Sequence, residues 1–146
     1  MFHISKISFW VLLSALIFST ADFKVKADTP QDVLIIVNKS MNISSVNISD
    51  VKRVFLKEKT VLNGNKITPV NARNGSPLRK YFTEKVLGMS SSDESAYWEA
   101  QKIRTGVRQP TELSNTVKAV FSIKNGVSYC YRKDFNPAVA KIVLVI

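Results

Sequence analysis

Lys66–Arg79 reads KITPVNARNGSPLR. Lys66–Val70 is a strand, fed by the turn Asn63-Gly64-Asn65, whose residue types favour positive φ. Asn71–Gly75 is a loop. Ser76 then caps a helix whose first residue is Pro77, where proline's missing N–H would have had no partner anyway. Leu78, Tyr81, Phe82 and Val86 line the apolar side of this helix, and Gly88 stops it. A strand, a glycine loop and a helix start leave unpaired N–H groups and the positive end of a helix dipole pointing outward. Such an end suits an oxyanion; the alternative is that Ser76-Pro77 is simply a good helix start and the arginines Arg73 and Arg79 are solvated. Arg73, Asn74, Gly75, Ser76 and Arg79 are the candidate oxyanion residues: the Ser76 hydroxyl donates a hydrogen bond, and Arg73 and Arg79 bring charge.

The rest of the chain supplies partners for this unit. Upstream, Val33–Val37 (VLIIV) is an unbroken apolar run, as in a strand buried on both faces. A polar connection follows, and Ser49 is the expected N-cap of a short helix with Asp50 in its first turn and Val51, Val54 and Phe55 on one side. Downstream, Ser90–Ser92 with Asp93 and Glu94 opens a helix that carries Tyr97, Trp98 and Ile103 and ends near Gly106. The acids at its start suit the dipole. Tyr97 and Trp98 are adjacent, so only one of them faces the core. Pro110-Thr111-Glu112 starts a further helix with Leu113, Val117, Val120 and Phe121 apolar, ended by Asn125-Gly126. Two strands close the chain, Val127–Tyr131 and Lys141–Ile146. On the first, Val127, Tyr129 and Tyr131 share one face, with Ser128 and Cys130 on the other. The order β-α-β-α-α-α-β-β predicts an α/β domain with helices packed on a mixed sheet.

Composition narrows the function. The 146 residues include 21 Lys+Arg, 11 Asp+Glu, one His and one Cys. The only His is His3 and the only Cys is Cys130, so a Ser-His-Asp triad, a Cys-His pair, a His-ligated zinc and a CxxC motif are all excluded from a processed chain. The carboxylates show no pairing that suggests acid/base or metal work. No enzyme activity, metal or cofactor is expected, and Cys130 reads as a packed free thiol. The basic residues (Lys52-Arg53, Lys57, Lys59, Arg79-Lys80, Arg104, Arg108, Arg132-Lys133) are scattered, which argues against nucleic acid. An acidic partner or anionic lipid headgroups suit this pattern better.

The N-terminus reads as targeting. Lys6 precedes the apolar run Ile7–Phe18, shorter than the roughly 20 residues of a membrane-spanning helix and suited to a signal-peptide core. Small-x-small cleavage sites follow at Ser19-Thr20-Ala21 and Val25-Lys26-Ala27, placing cleavage after Ala21 or Ala27. The second choice gives a signal peptide over residues 1–27, a domain over 28–146 and a periplasmic location. An uncleaved N-terminal anchor is the alternative.

Ser49–Lys59 (SDVKRVFLKEK), Lys66–Arg79 and Gly126–Tyr131 (GVSYCY), the last followed by Lys141–Ile146, resemble segments of the phosphate-binding family of ABC-transporter substrate-binding proteins. The likeness is closest to short, single-lobe exported forms, in which a run like Gly75–Arg79 followed by Phe82 is typical. It implies one lobe of a periplasmic-binding-protein-like (type II) fold, with Gly75-Ser76 at the oxyanion. The chain departs from the family's Arg-x-Asp-Gly-Ser-Gly-Thr pattern: Ala72 stands at the Arg position with Arg73 one place later, Asn74 replaces Asp, Pro77 the second Gly and Leu78 the Thr. Pro77 also removes an N–H, so a weak or lost site is expected. A complete binding protein closes two lobes over its ligand. One lobe needs a dimer, a partner protein or another role. The resemblance therefore implies a non-catalytic binding protein for phosphate or a related oxyanion, or alternatively an interaction domain for a membrane sensor or transporter.

Overall fold

The computed structural model describes residues 32–146. The expected signal peptide, both cleavage sites and His3 lie outside the described residues. Strand β1 (Val33–Asn38) leads to helix α1 (Ile48–Phe55), the hairpin β2–β3 (Val61–Leu62 and Asn65–Lys66) and strand β4 (Thr68–Ala72). Helix α2 (Pro77–Phe82) widens into a π turn over Thr83–Leu87, and helix α3 (Ser91–Thr105) follows. Strand β5 (Thr111–Leu113), helix α4 (Thr116–Ser122), strand β6 (Gly126–Tyr131), a 3-10 turn (Arg132–Asp134) and strand β7 (Ala140–Val145) complete the chain.

The main sheet has the order β5-β4-β6-β1-β7. β4 runs parallel to β5 and to β6, while β1 runs antiparallel to β6 and β7. This is the mixed sheet expected. With a strand on each side and apolar cover on both faces, β1 needs no polar side chain over Val33–Val37, and those residues are fully buried. Alternation along β1 then sorts the core. Val33, Ile35 and Val37 face α1 and α2 together with Val127 and Tyr129. Leu34 and Ile36 face α4 with Val120, Cys130 and Ala140. On the first face Phe82 stacks on Tyr129 at 3.8 Å, and Phe55 meets both rings edge-on.

Several expectations need correction. Asn47, not Ser49, caps α1: its side chain accepts from the Asp50 N–H at 2.7 Å. The loop Asn71–Gly75 is shorter than expected, because Asn71 and Ala72 continue β4 beside Glu112 and Leu113. Thr111–Leu113 is strand β5 and not the start of a helix. The helix begins at Thr116, capped by the Asn115 side chain on the Lys118 N–H. Leu113 and Phe121, counted among the apolar residues of the expected helix, are 40% and 61% exposed. Ile103 likewise faces solvent. Of the adjacent aromatic pair, Trp98 is the core residue, with Tyr97 edge-on to it at 5.0 Å.

Candidate functional site

The chain leaves β4 at Ala72 and enters α2 at Pro77. α2 packs on one face of the sheet and α4, which follows β5, on the other. The adjacent parallel strands β4 and β5 thus send their connections to opposite faces. A crevice outside the carboxyl ends of such a strand pair is where open α/β sheets place ligands. Arg73–Ser76 follows the carboxyl end of β4, and Ser114-Asn115 follows that of β5.

The loop is held by its own side chains. Gly75 has φ 77°, and nothing stands within 4 Å of where a Cβ would be. The left-handed backbone, not crowding, is what favours glycine there. Ser76 Oγ donates to Arg73 O at 2.7 Å and accepts from Arg79 N–H at 3.2 Å, and Ser76 N–H donates to Arg73 O at 3.2 Å. Its role as N-cap is as expected, and that role occupies the hydroxyl. Asn74 N–H donates to Glu112 Oε2 at 3.2 Å, and Gln109 Nε2 donates to the other Glu112 oxygen at 3.1 Å. A carboxylate of the chain itself therefore sits where the loop would greet an outside anion.

The two arginines have separate fates. Arg73 is exposed and enters none of the ion pairs formed among the described residues. Arg79 is 3% exposed. Its Nη2 pairs with Glu94 Oε1 at 2.5 Å, its Nε with Glu94 Oε2 at 3.3 Å, and its Nη1 donates to Ala72 O at 3.3 Å. Thr83 Oγ1 also donates to Glu94, at 2.8 Å. Burial pulls the Arg79 pKa down, but the hydrogen bond to Glu94 and nearby negative charge raise it above its ordinary value, so it stays cationic. Arg79 thus braces the loop from below and does not reach into the crevice. Beside it, Tyr129 OH accepts from Ala72 N–H at 3.1 Å and donates to Asn71 Oδ1 at 3.3 Å. Burial pushes the Tyr129 phenol up to about 12 despite the neighbouring Arg79.

The structure thus brings Arg73, Asn74, Gly75 and Ser76 together at the surface and places Arg79 beneath them. Sequence reasoning missed Glu112 and Glu94. The triplet Thr111-Glu112-Leu113 between Pro110 and Ser114 alternates polar and apolar residues, a strand pattern too short to outweigh the helix-start reading of Pro110. Nothing local marks Glu94 as the partner of Arg79. Among the described residues there is no cluster of His, Cys, Asp and Glu that could hold a metal ion.

The architecture defines a single lobe of the periplasmic-binding-protein fold. It superposes on an ABC-type phosphate transport receptor from Vibrio cholerae with a TM-score of 0.56 and 14% identity, over 76% of this chain and 44% of the other. It matches equally well, at a TM-score of 0.56 and 18% identity, a protein assigned as a phosphate ABC-transporter substrate-binding protein from Clostridium perfringens, solved with phosphate bound; 76% of this chain and 43% of that one align. A protein assigned to phosphate binding from Planctomyces limnophilus gives 0.52 and 16%, over 76% and 40%. The chain therefore spans less than half the length of these solved structures. No protein-family model and no curated protein matches the sequence.

Proposed function

We propose that this chain is an exported, non-catalytic binding protein that holds a phosphate-like oxyanion at the loop Arg73–Arg79, with low affinity until a second body covers the crevice. The observation that carries this reading is the place of the loop. It stands at the carboxyl end of β4, beside β5, where α2 and α4 depart to opposite faces, and its exposed Arg73 enters no ion pair among the described residues. Among the described residues, the Gly75 and Leu78 backbone N–H groups have no acceptor. Low affinity follows from what is already spent: Asn74 N–H on Glu112, Ser76 Oγ on the cap and Arg79 on Glu94. The short apolar run Ile7–Phe18 supports export, and the likeness to transport receptors supports a binding role.

A second reading has its own support. Glu112 acts as a built-in carboxylate on the loop, which suits an interaction domain for a membrane sensor or transporter that no longer takes a free ligand. Calorimetric titration with phosphate, and with sulfate for comparison, separates the two. The oxyanion reading expects a saturable component of the heat that disappears in Arg73→Ala. It also expects affinity to rise roughly tenfold in Glu112→Gln, which removes the competing negative charge while keeping the side chain's size. Heat with no component that depends on Arg73, in the native chain and in Glu112→Gln alike, would retire the oxyanion at this loop and leave the interaction domain.

A further inference from the structure

Trp98 presents an unmet group. Among the described residues, its indole Nε1 is the buried side-chain polar atom with no hydrogen-bond partner, on a residue only 6% exposed. Native structures keep few such orphans, and each one calls for an acceptor. Trp98 lines a cavity of about 350 Å³ that opens between α3 and the approach to β5 and is bordered by Asn74. Lys102, Arg108 and Gln109 line it too, with Glu99 as the carboxylate. Lys102 lies 3.8 Å from Glu99, both well exposed, a pairing that water largely screens. Arg108 enters none of the ion pairs among the described residues. Gln109 is held by Glu112, which fixes this wall of the cavity to the loop.

Two cations, one loosely engaged carboxylate and a buried N–H without an acceptor define a ligand. We propose that this cavity binds a small oxyanion, a carboxylate or phosphate group, one oxygen of which accepts from Trp98 Nε1–H while Arg108 and Lys102 balance its charge. Charge-assisted hydrogen bonds of this kind are the strong ones. Since the indole nitrogen is closed to solvent, a ligand reaches it by a shift of lining side chains, and the exposed Lys102 and Arg108 are those with room to move. The site uses neither Arg73 nor Ser76 nor Arg79, and so stands apart from the loop proposed above, sharing only Asn74 with it.

The chain has two tryptophans, Trp10 and Trp98, so the full-length protein carrying Trp10→Phe reports on Trp98 alone. In that background the Nε1–H resonance of Trp98 is followed by NMR during titration with inorganic phosphate and, separately, acetate. The proposal expects a saturable downfield shift. Arg108→Ala should weaken the binding about tenfold, the effect of losing one charge-assisted hydrogen bond, whereas Arg73→Ala should leave it unchanged. Saturation by both anions marks a general oxyanion site, and saturation by phosphate alone narrows it to phosphate groups. A resonance that does not move overturns the proposal, as does a shift reproduced by sodium chloride at equal ionic strength. A shift lost in Arg73→Ala and kept in Arg108→Ala assigns the binding to the loop and overturns it too. If the loop's calorimetric heat is absent while the indole responds, the loop reading fails and this site stands.

Discussion

Arg79 lies in the first turn of α2, yet its guanidinium is buried against Glu94, itself held by Thr83, and the Ala72 carbonyl. Removing one partner leaves the other charge buried and unpaired, so Arg79→Ala or Glu94→Ala should each destabilise the fold by about 3–5 kcal/mol. Replacing both by apolar residues of similar size, Arg79→Met with Glu94→Leu, should recover most of that loss. Urea-denaturation midpoints test this; equal loss in the single and double variants would show that the pair itself, and not the orphaned charge, sets the energy. Arg73 differs because its side chain is exposed and in no ion pair among the described residues, and Arg73→Ala should change stability by less than about 0.5 kcal/mol. The same arginine type six residues apart thus has two roles, one under the loop and one on it.

At the scale of elements, capping and edge placement decide the boundaries. Asn47→Ala should cost about 1 kcal/mol, since it deletes the acceptor for Asp50 N–H, while Ser49→Ala, inside the first turn of α1, should cost only a few tenths. Chemical denaturation of both variants distinguishes the two cap assignments. β5 offers a sharper contrast. Leu113 lies on an edge strand and is 40% exposed, whereas Val120 on α4 is fully buried against β1 and β6. Leu113→Ala should therefore cost less than about 1 kcal/mol, and Val120→Ala clearly more, in the range of about 1–3 kcal/mol for a buried truncation. A helix running from Pro110 to the stop at Asn125-Gly126, with Leu113 and Val120 on its apolar side, would require the two losses to match.

For the whole molecule, two buried groups make stability depend on alkaline pH. Burial raises the Cys130 thiol from 9.0 to about 11, with Asp134 adding to it, and raises the Tyr129 phenol from 10.0 to about 12. Both are neutral in the folded chain. Below pH 9 folded and unfolded chains hold both protons, and the native contribution is complete. As pH rises, the unfolded chain loses its protons first, so stability falls between about pH 9 and about pH 12. Unfolding midpoints taken across that window should decline, and Cys130→Ala should delay the onset of the decline. A flat profile through the window would show that neither group is held neutral by the fold. Tyr129 lies under the Arg73–Ser76 loop through its bonds to Asn71 and Ala72, so the alkaline loss would loosen the loop as well.

Local chemistry alone determined the frame of this protein. A run such as Val33–Val37 has no polar residue to show solvent, a Ser76-Pro77 start has one low-cost conformation, and Gly88 at φ 71° ends the helix that follows. Alternation along Val127–Tyr131 likewise assigned Tyr129 and Cys130 to opposite faces. The α/β class and the single-lobe fold were legible from those signals and from the resemblance they carried. Tertiary structure alone decided what stands around the loop. Whether Thr111–Leu113 pairs as a strand depends on the open edge of β4, which no window of a few residues contains. Glu112 reaches Asn74 across 38 positions and Glu94 reaches Arg79 across 15. Such partners are chosen by packing in three dimensions, where a buried charge must find its counter-charge whatever the distance along the chain.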